Sequence, residues 1–176
     1  MAAILSDNEI AKLLENGVIL DADKKQIKSN SYVFRLGEKV RFFSTNERRA
    51  GEEGDILEID PGDSVLVSSM ETLKFRDISK VHEGYEICAF LTPTTTLVRE
   101  GLQLPTTKID PGYNGTLNWT IRNSGVEPIL MEIGEPLFKA TFFLLTGGEE
   151  MAEKLISIVI PHLQWHEPMD NKGCLL

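Results

Sequence analysis

Asp110 is the residue of this chain best placed to do chemistry. It stands in the run Ile109-Asp110-Pro111-Gly112-Tyr113-Asn114-Gly115, where proline and glycine impose a tight turn. The turn gathers a carboxylate, a phenol and two glycines. Asp110 can there orient or deprotonate a water, and the turn as a whole has a layout suited to gripping a sugar. An aspartate in such a turn also commonly bonds the backbone two residues on, and Tyr113 equally suits a half-buried strand. Both readings stay open on sequence alone.

Other polar groups flank this turn. Thr94-Thr95-Thr96-Leu97-Val98-Arg99-Glu100-Gly101 supplies hydroxyl donors and one guanidinium, the group whose fork best matches a phosphate. Three adjacent threonines also simply suit a strand. Lys108 adds a cation just before the turn. Ten residues past Asp110 stands Thr120, in a stretch, 115–123, that holds no acid. Thr120 cannot shuttle protons near neutral pH. Alternation places Asn118, Thr120 and Arg122 on one strand face and Leu117, Trp119 and Ile121 on the other. His162 and His166 have a spacing that can bind zinc on a helix. Pro161 and the lack of a third ligand nearer than Cys174 make them surface or interface histidines. Glu47-Arg48-Arg49 and Glu149-Glu150 read as solvated charge.

The elements that must position these groups are mostly strands. Ser6-Asp7-Asn8-Glu9 is a capping box, and Ile10, Leu13 and Leu14 follow at helical spacing before Gly17, predicting a helix over residues 7–16. Short β-branched and aromatic segments come next, at 32–36, 40–43, 56–59, 65–68, 87–91, 116–122, 129–133 and 137–145. Asp60-Pro61-Gly62, Asp110-Pro111-Gly112 and Asn123-Ser124-Gly125 divide them. Many short strands and one amphipathic helix imply a mainly β sandwich or barrel of jelly-roll type. The charged, glycine-containing stretch 45–54 reads as a mobile loop.

A chain of 176 residues, 41% apolar, buries one sizeable core and is too short for two full domains. Its formal charge of −9 disfavours a nucleic-acid polymer as partner. Two cysteines, Cys88 and Cys174, form no close pair and suit a reducing compartment. The first residues lack a signal-peptide pattern, and no apolar run of about 18 residues could cross a bilayer. A cytoplasmic protein without a membrane partner is expected.

Taken together with Ile4-Leu5-Ser6-Asp7 and Ser31-Tyr32-Val33-Phe34-Arg35-Leu36-Gly37, the turn at Asp110 resembles, in order and spacing, the dCTP deaminase branch of the dUTPase superfamily, over about residues 4–142. The resemblance implies a mainly β, dUTPase-like distorted jelly-roll or β-barrel with a short N-terminal helix over 1–145. Residues 146–176 would be an extension packing on the same domain or on a neighbouring subunit. It also implies a homotrimer that binds a pyrimidine deoxynucleoside triphosphate between subunits, with Mg²⁺ held through the triphosphate rather than by protein ligands. By position it makes Asp110 the catalytic aspartate. Tyr113 becomes the ring against the deoxyribose, and Ile109 and Thr120 further substrate contacts. Thr95, Thr96 and Arg99 match a phosphate motif, and Lys108 stands where relatives carry a phosphate-binding arginine.

Several positions depart from the family pattern. Thr94 replaces the first arginine of the phosphate motif, Val33 an acid that supports the metal's water shell, Lys139 a glutamine, and Thr120 the glutamate that a deaminase needs. Thr120 beside an intact Asp110 favours triphosphate hydrolysis of the dUTPase type over deamination, while Thr94, Val33 and Thr120 together favour a homologue that has lost turnover. The alternatives are a nucleotide-binding or regulatory homologue without turnover, a dCTP deaminase, and a module using only the scaffold.

Overall fold

The computed structural model describes residues 2–146. A first strand, β1 (Ala2–Ile4), leads into helix α1 (Asp7–Glu15). The Glu9 carboxylate accepts from the Ser6 amide at 2.9 Å, as the capping box predicts, and also from the Ser6 hydroxyl at 2.9 Å. Gly17, at φ 70°, ends the helix, and Val18 N–H donates to the Leu13 carbonyl at 2.8 Å. Ile10 and Leu13 face inward and are fully buried.

The rest of the chain is mostly strand. In order come β2 (Ile19–Leu20), β3 (Ile27–Lys28), β4 (Ser31–Phe42), β5 (Arg48–Ala50), β6 (Ile56–Ile59), β7 (Ser64–Lys74) and β8 (Tyr85–Pro93). A one-turn helix, α2 (Thr95–Arg99), follows, and then β9 (Leu102–Gln103), β10 (Thr107–Ile109), β11 (Asn114–Asn123), β12 (Ile129–Glu132) and β13 (Pro136–Thr146). One curled antiparallel sheet runs β10-β8-β13-β4-β7-β11-β9, with β1 added on β13, β2 on β7, and β3 and β5 on β4. β6 and β12 form a separate pair. This is the mainly β half-barrel with a short N-terminal helix that the sequence leads one to expect. No helix among the described residues is long and apolar enough to cross a membrane.

Three details differ from the sequence reading. The segments expected as separate strands at 32–36 and 40–43 are one strand, β4. Gly37 lies so close to β7 that a Cβ there would stand 2.5 Å from the Ser69 carbonyl oxygen, and the register with β7 shifts between Leu36 and Val40. Only glycine lets the strand run through this crossing. The stretch expected as a mobile loop at 45–54 contains β5, held on β4 with Phe42 N–H donating to the Glu47 carbonyl at 2.9 Å. The threonines that suggest a strand instead open α2.

The core is aromatic. Tyr32, Phe34, Phe75, Phe138 and Phe142 are wholly buried; the Phe34 ring meets Tyr32 edge-on at 5.1 Å and stacks on Phe138 at 5.4 Å. Within it lies one buried charge, Glu71, which is 0% exposed. Glu71 accepts from the Arg35 amide at 3.0 Å, the Arg35 Nε at 2.8 Å and the Tyr32 hydroxyl at 3.1 Å. All three of these donors come from β4, and they offset the cost of burying the carboxyl group.

Candidate functional site

The turn at Asp110 joins β10 to β11. Pro111 presets one dihedral and Gly112 takes φ 74°, so the chain reverses with Tyr113 N–H donating to the Asp110 carbonyl at 3.3 Å. β10 is the last strand of the sheet. Strand alternation sends Ile109 into the core, where it is 3% exposed, and turns Lys108 and Asp110 outward together. Lys108 Nζ lies 2.7 Å from Asp110 Oδ1. The carboxylate therefore meets a cation at the surface rather than the backbone of its own turn. The hydrogen bond to Asp110, outweighing a small desolvation cost, holds Lys108 above its ordinary pKa. Ile109, expected as a substrate contact, offers only its backbone.

Tyr113 is half-buried and its ring packs against the core. Its hydroxyl donates to the Thr116 carbonyl at 2.9 Å, and burial pushes the phenol above its ordinary range. Ring position is fixed from both ends, leaving an aromatic face rather than a free hydroxyl for a ligand.

α2 carries the other candidates. Thr95, Thr96 and Arg99 are exposed, and Leu97 anchors the turn in the core. Arg99 has no ion-pair partner among the described residues. Thr94 occupies the N-cap position in an extended conformation, without a side-chain cap.

Thr120 belongs to a different feature. Leu117 and Ile121 point into the core while Thr120 and Arg122 face a cleft of about 520 Å³. Pro93, Val98, Leu102, Leu104 and Pro105 form its apolar walls, and Ser64, Gln103, Thr120 and Arg122 supply its polar groups. No carboxylate lines it. Trp119, on the opposite strand face, donates from Nε1 to the Pro105 carbonyl at 3.0 Å and so ties the β9–β10 connection to β11. Ser64, Gln103 and Val98 are residues that sequence reasoning passes over, because three separate elements bring them together. Val33, where the resemblance leads one to seek an acid, is buried at 3% exposure. Among the described residues no three Asp, Glu, His or Cys side chains could jointly hold a metal ion. His162 and His166 lie outside the described residues.

Residues 4–145 match the dCTP deaminase-like family. The chain belongs to that family. It is 27% identical over 170 residues to a dCTP deaminase, dUMP-forming, of Methanosphaera stadtmanae, covering 84% of this chain and 82% of the relative. It is also 27% identical over 141 residues to a probable deoxyuridine 5′-triphosphate nucleotidohydrolase of Sulfolobus islandicus rod-shaped virus 1, covering 79% of this chain and 82% of that protein. The crystal structure of 2′-deoxycytidine 5′-triphosphate deaminase from Agrobacterium tumefaciens superposes with a TM-score of 0.65 at 20% identity, over 81% of this chain. The chain spans about half of that protein, 49% of its length. Members of the family thus carry names from both branches, and the residues of this chain must decide between them.

Proposed function

We propose that this protein binds a pyrimidine deoxynucleoside triphosphate as its Mg²⁺ complex and hydrolyses the triphosphate instead of deaminating the base. The observation that carries this reading is the outward Asp110 carboxylate, on the same turn as Tyr113, in a molecule whose Thr120 cleft is lined by no acid. Deamination needs a group that moves protons between water, ring nitrogen and departing ammonia. Thr120 cannot do this. Attack of water on phosphorus needs one base and cations for the phosphates, roles this reading gives to Asp110 and to Lys108 and Arg99.

In this mechanism the deoxyribose packs on Tyr113. Asp110 orients a water and takes its proton as the oxygen attacks phosphorus, releasing pyrophosphate and a nucleoside monophosphate. Arg99, Lys108 and the hydroxyls of Thr95 and Thr96 bind phosphate oxygens. Lys108 exchanges Asp110 for a phosphate as the nucleotide arrives, which frees the carboxylate for water. Mg²⁺, carried by the triphosphate, supplies charge neutralisation. The reading places the site between subunits of a cytoplasmic homotrimer, with residues 146–176 packed on the same domain or on a neighbour.

The test is simultaneous measurement of pyrophosphate and ammonia release from dCTP, dUTP and dTTP with Mg²⁺. Pyrophosphate without ammonia is the expected result, with Thr120→Glu the variant that gains ammonia release. Ammonia release by the wild type that is insensitive to Thr120 would overturn the reading. A second reading, nucleotide binding without turnover, is favoured by Thr94 and by buried Val33; binding with neither product would establish it.

A further inference from the structure

We infer that the cleft between β9, β11 and α2 receives the base of the nucleotide and that Arg122 makes it select a 4-oxo pyrimidine, uracil or thymine, over cytosine. The inference rests on the nucleotide-binding reading above and names the base and the residue that reads it.

The cleft has the composition of a base pocket. Its walls are five apolar side chains and its polar groups few, the pattern by which proteins hold flat heterocycles while fixing their orientation. The polar groups are also ordered. Arg122 on β11 pairs with Ser64 on β7 and with Gln103 on β9. Directly opposed residues of antiparallel strands share a face, so Ser64, Arg122 and Gln103 form one cross-strand row. Thr120, two residues before Arg122, extends that row along β11 on the same face.

The chemistry of the row is unequal. Hydroxyls and the carboxamide both donate and accept, so Ser64, Thr120 and Gln103 adapt to either base edge. A guanidinium only donates. No acid lines the cleft, and among the described residues Arg122 has no ion-pair partner that would occupy its donors. Uracil and thymine present a carbonyl oxygen at position 4, which accepts from Arg122. Cytosine presents an amino group there, donor against donor. A row that can only donate at this point disfavours the base whose matching group is also a donor, because that pairing makes no hydrogen bond. The apolar walls, Val98 and Leu104 among them, tolerate the thymine methyl group, so the row discriminates at position 4 and not at position 5.

The experiment is calorimetric titration of the full chain, with Mg²⁺, using the non-hydrolysable α,β-imido analogues of dUTP, dTTP and dCTP. The wild type is expected to bind the dUTP and dTTP analogues at least about tenfold more tightly than the dCTP analogue, the scale of one charge-assisted hydrogen bond. Arg122→Gln, whose amide can turn its oxygen to an amino group, is expected to bring the ratio within about threefold by weakening only the 4-oxo ligands. Arg122→Lys, still a donor, is expected to keep the preference. Equal affinity for all three analogues in the wild type, a preference for dCTP, or a uniform loss for all three in Arg122→Gln would each overturn the inference while leaving nucleotide binding intact. Binding of none of the three would overturn the nucleotide reading itself, and this inference with it.

Discussion

Lys108 and Asp110 form an ion pair of 2.7 Å across a residue, Ile109, that points the other way. The pair follows from strand alternation: residues two apart share a face, and burial of Ile109 fixes which face that is. With its side chains 47% and 36% exposed, such a pair contributes little to stability, about 0–1 kcal/mol. Under the proposed mechanism it holds a cation beside the acid that activates water.

Lys108→Met should therefore leave the fold almost unchanged and weaken nucleotide binding. The expected change in unfolding free energy is below about 1 kcal/mol, while the dissociation constant for a triphosphate rises about tenfold or more. Chemical denaturation and calorimetry on the same preparation check this. A variant that unfolds several kcal/mol more easily would make Lys108 a structural residue.

Tyr32 gives a pH dependence. Burial first, and then the neighbouring charge of Glu71, raise its phenol above the ordinary value near 10. In the unfolded chain the phenol ionises at about pH 10, and in the fold only at higher pH, so the unfolded state loses its proton first. The contribution is complete below about pH 10 and is lost as pH rises above it. Melting temperature should fall more steeply between about pH 10 and 12 in the wild type than in Tyr32→Phe. Parallel curves would show that ionisation of Tyr32 is not coupled to unfolding.

Glu71→Ala should be severely destabilising. It leaves the Arg35 side chain, 15% exposed, without its counter-charge and the Tyr32 hydroxyl without its acceptor. Removing one partner of a buried pair typically costs about 3–5 kcal/mol. A loss below about 1 kcal/mol in urea denaturation would mean that Arg35 escapes to solvent.

This network also shows where the sequence stops being legible. The capping box of Ser6 and Glu9 and the turn at Pro111 and Gly112 are local signals, and both elements form where local chemistry places them. Arg35 and Glu71 are 36 positions apart, and nothing local marks either as a partner. The same holds for Arg122, whose neighbours Ser64 and Gln103 are set by strand register. Conversely, the threonines before Arg99 mislead, since β-branched residues favour strands and burial of Leu97 overrides that preference. Asp110 was legible as an acid on a turn. That Lys108 rather than the turn backbone would hold it required the burial of Ile109 to be known.

Asp110→Asn separates catalysis from structure. The amide keeps the size of the side chain but cannot take a proton from water, so pyrophosphate release should be abolished while affinity for the α,β-imido triphosphate analogues stays within about threefold. Stability should change little, because the ion pair that is lost is exposed. Arg99→Ala should show the opposite pattern, weakening binding by about 1.5–3 kcal/mol through loss of a charged hydrogen bond to phosphate. The two variants together are decisive: Asp110→Asn acts on turnover at saturating nucleotide, and Arg99→Ala on the concentration needed to reach it. If Asp110→Asn instead melts several degrees lower and the wild type binds nucleotide without releasing pyrophosphate, the carboxylate serves the turn and the protein is a nucleotide sensor.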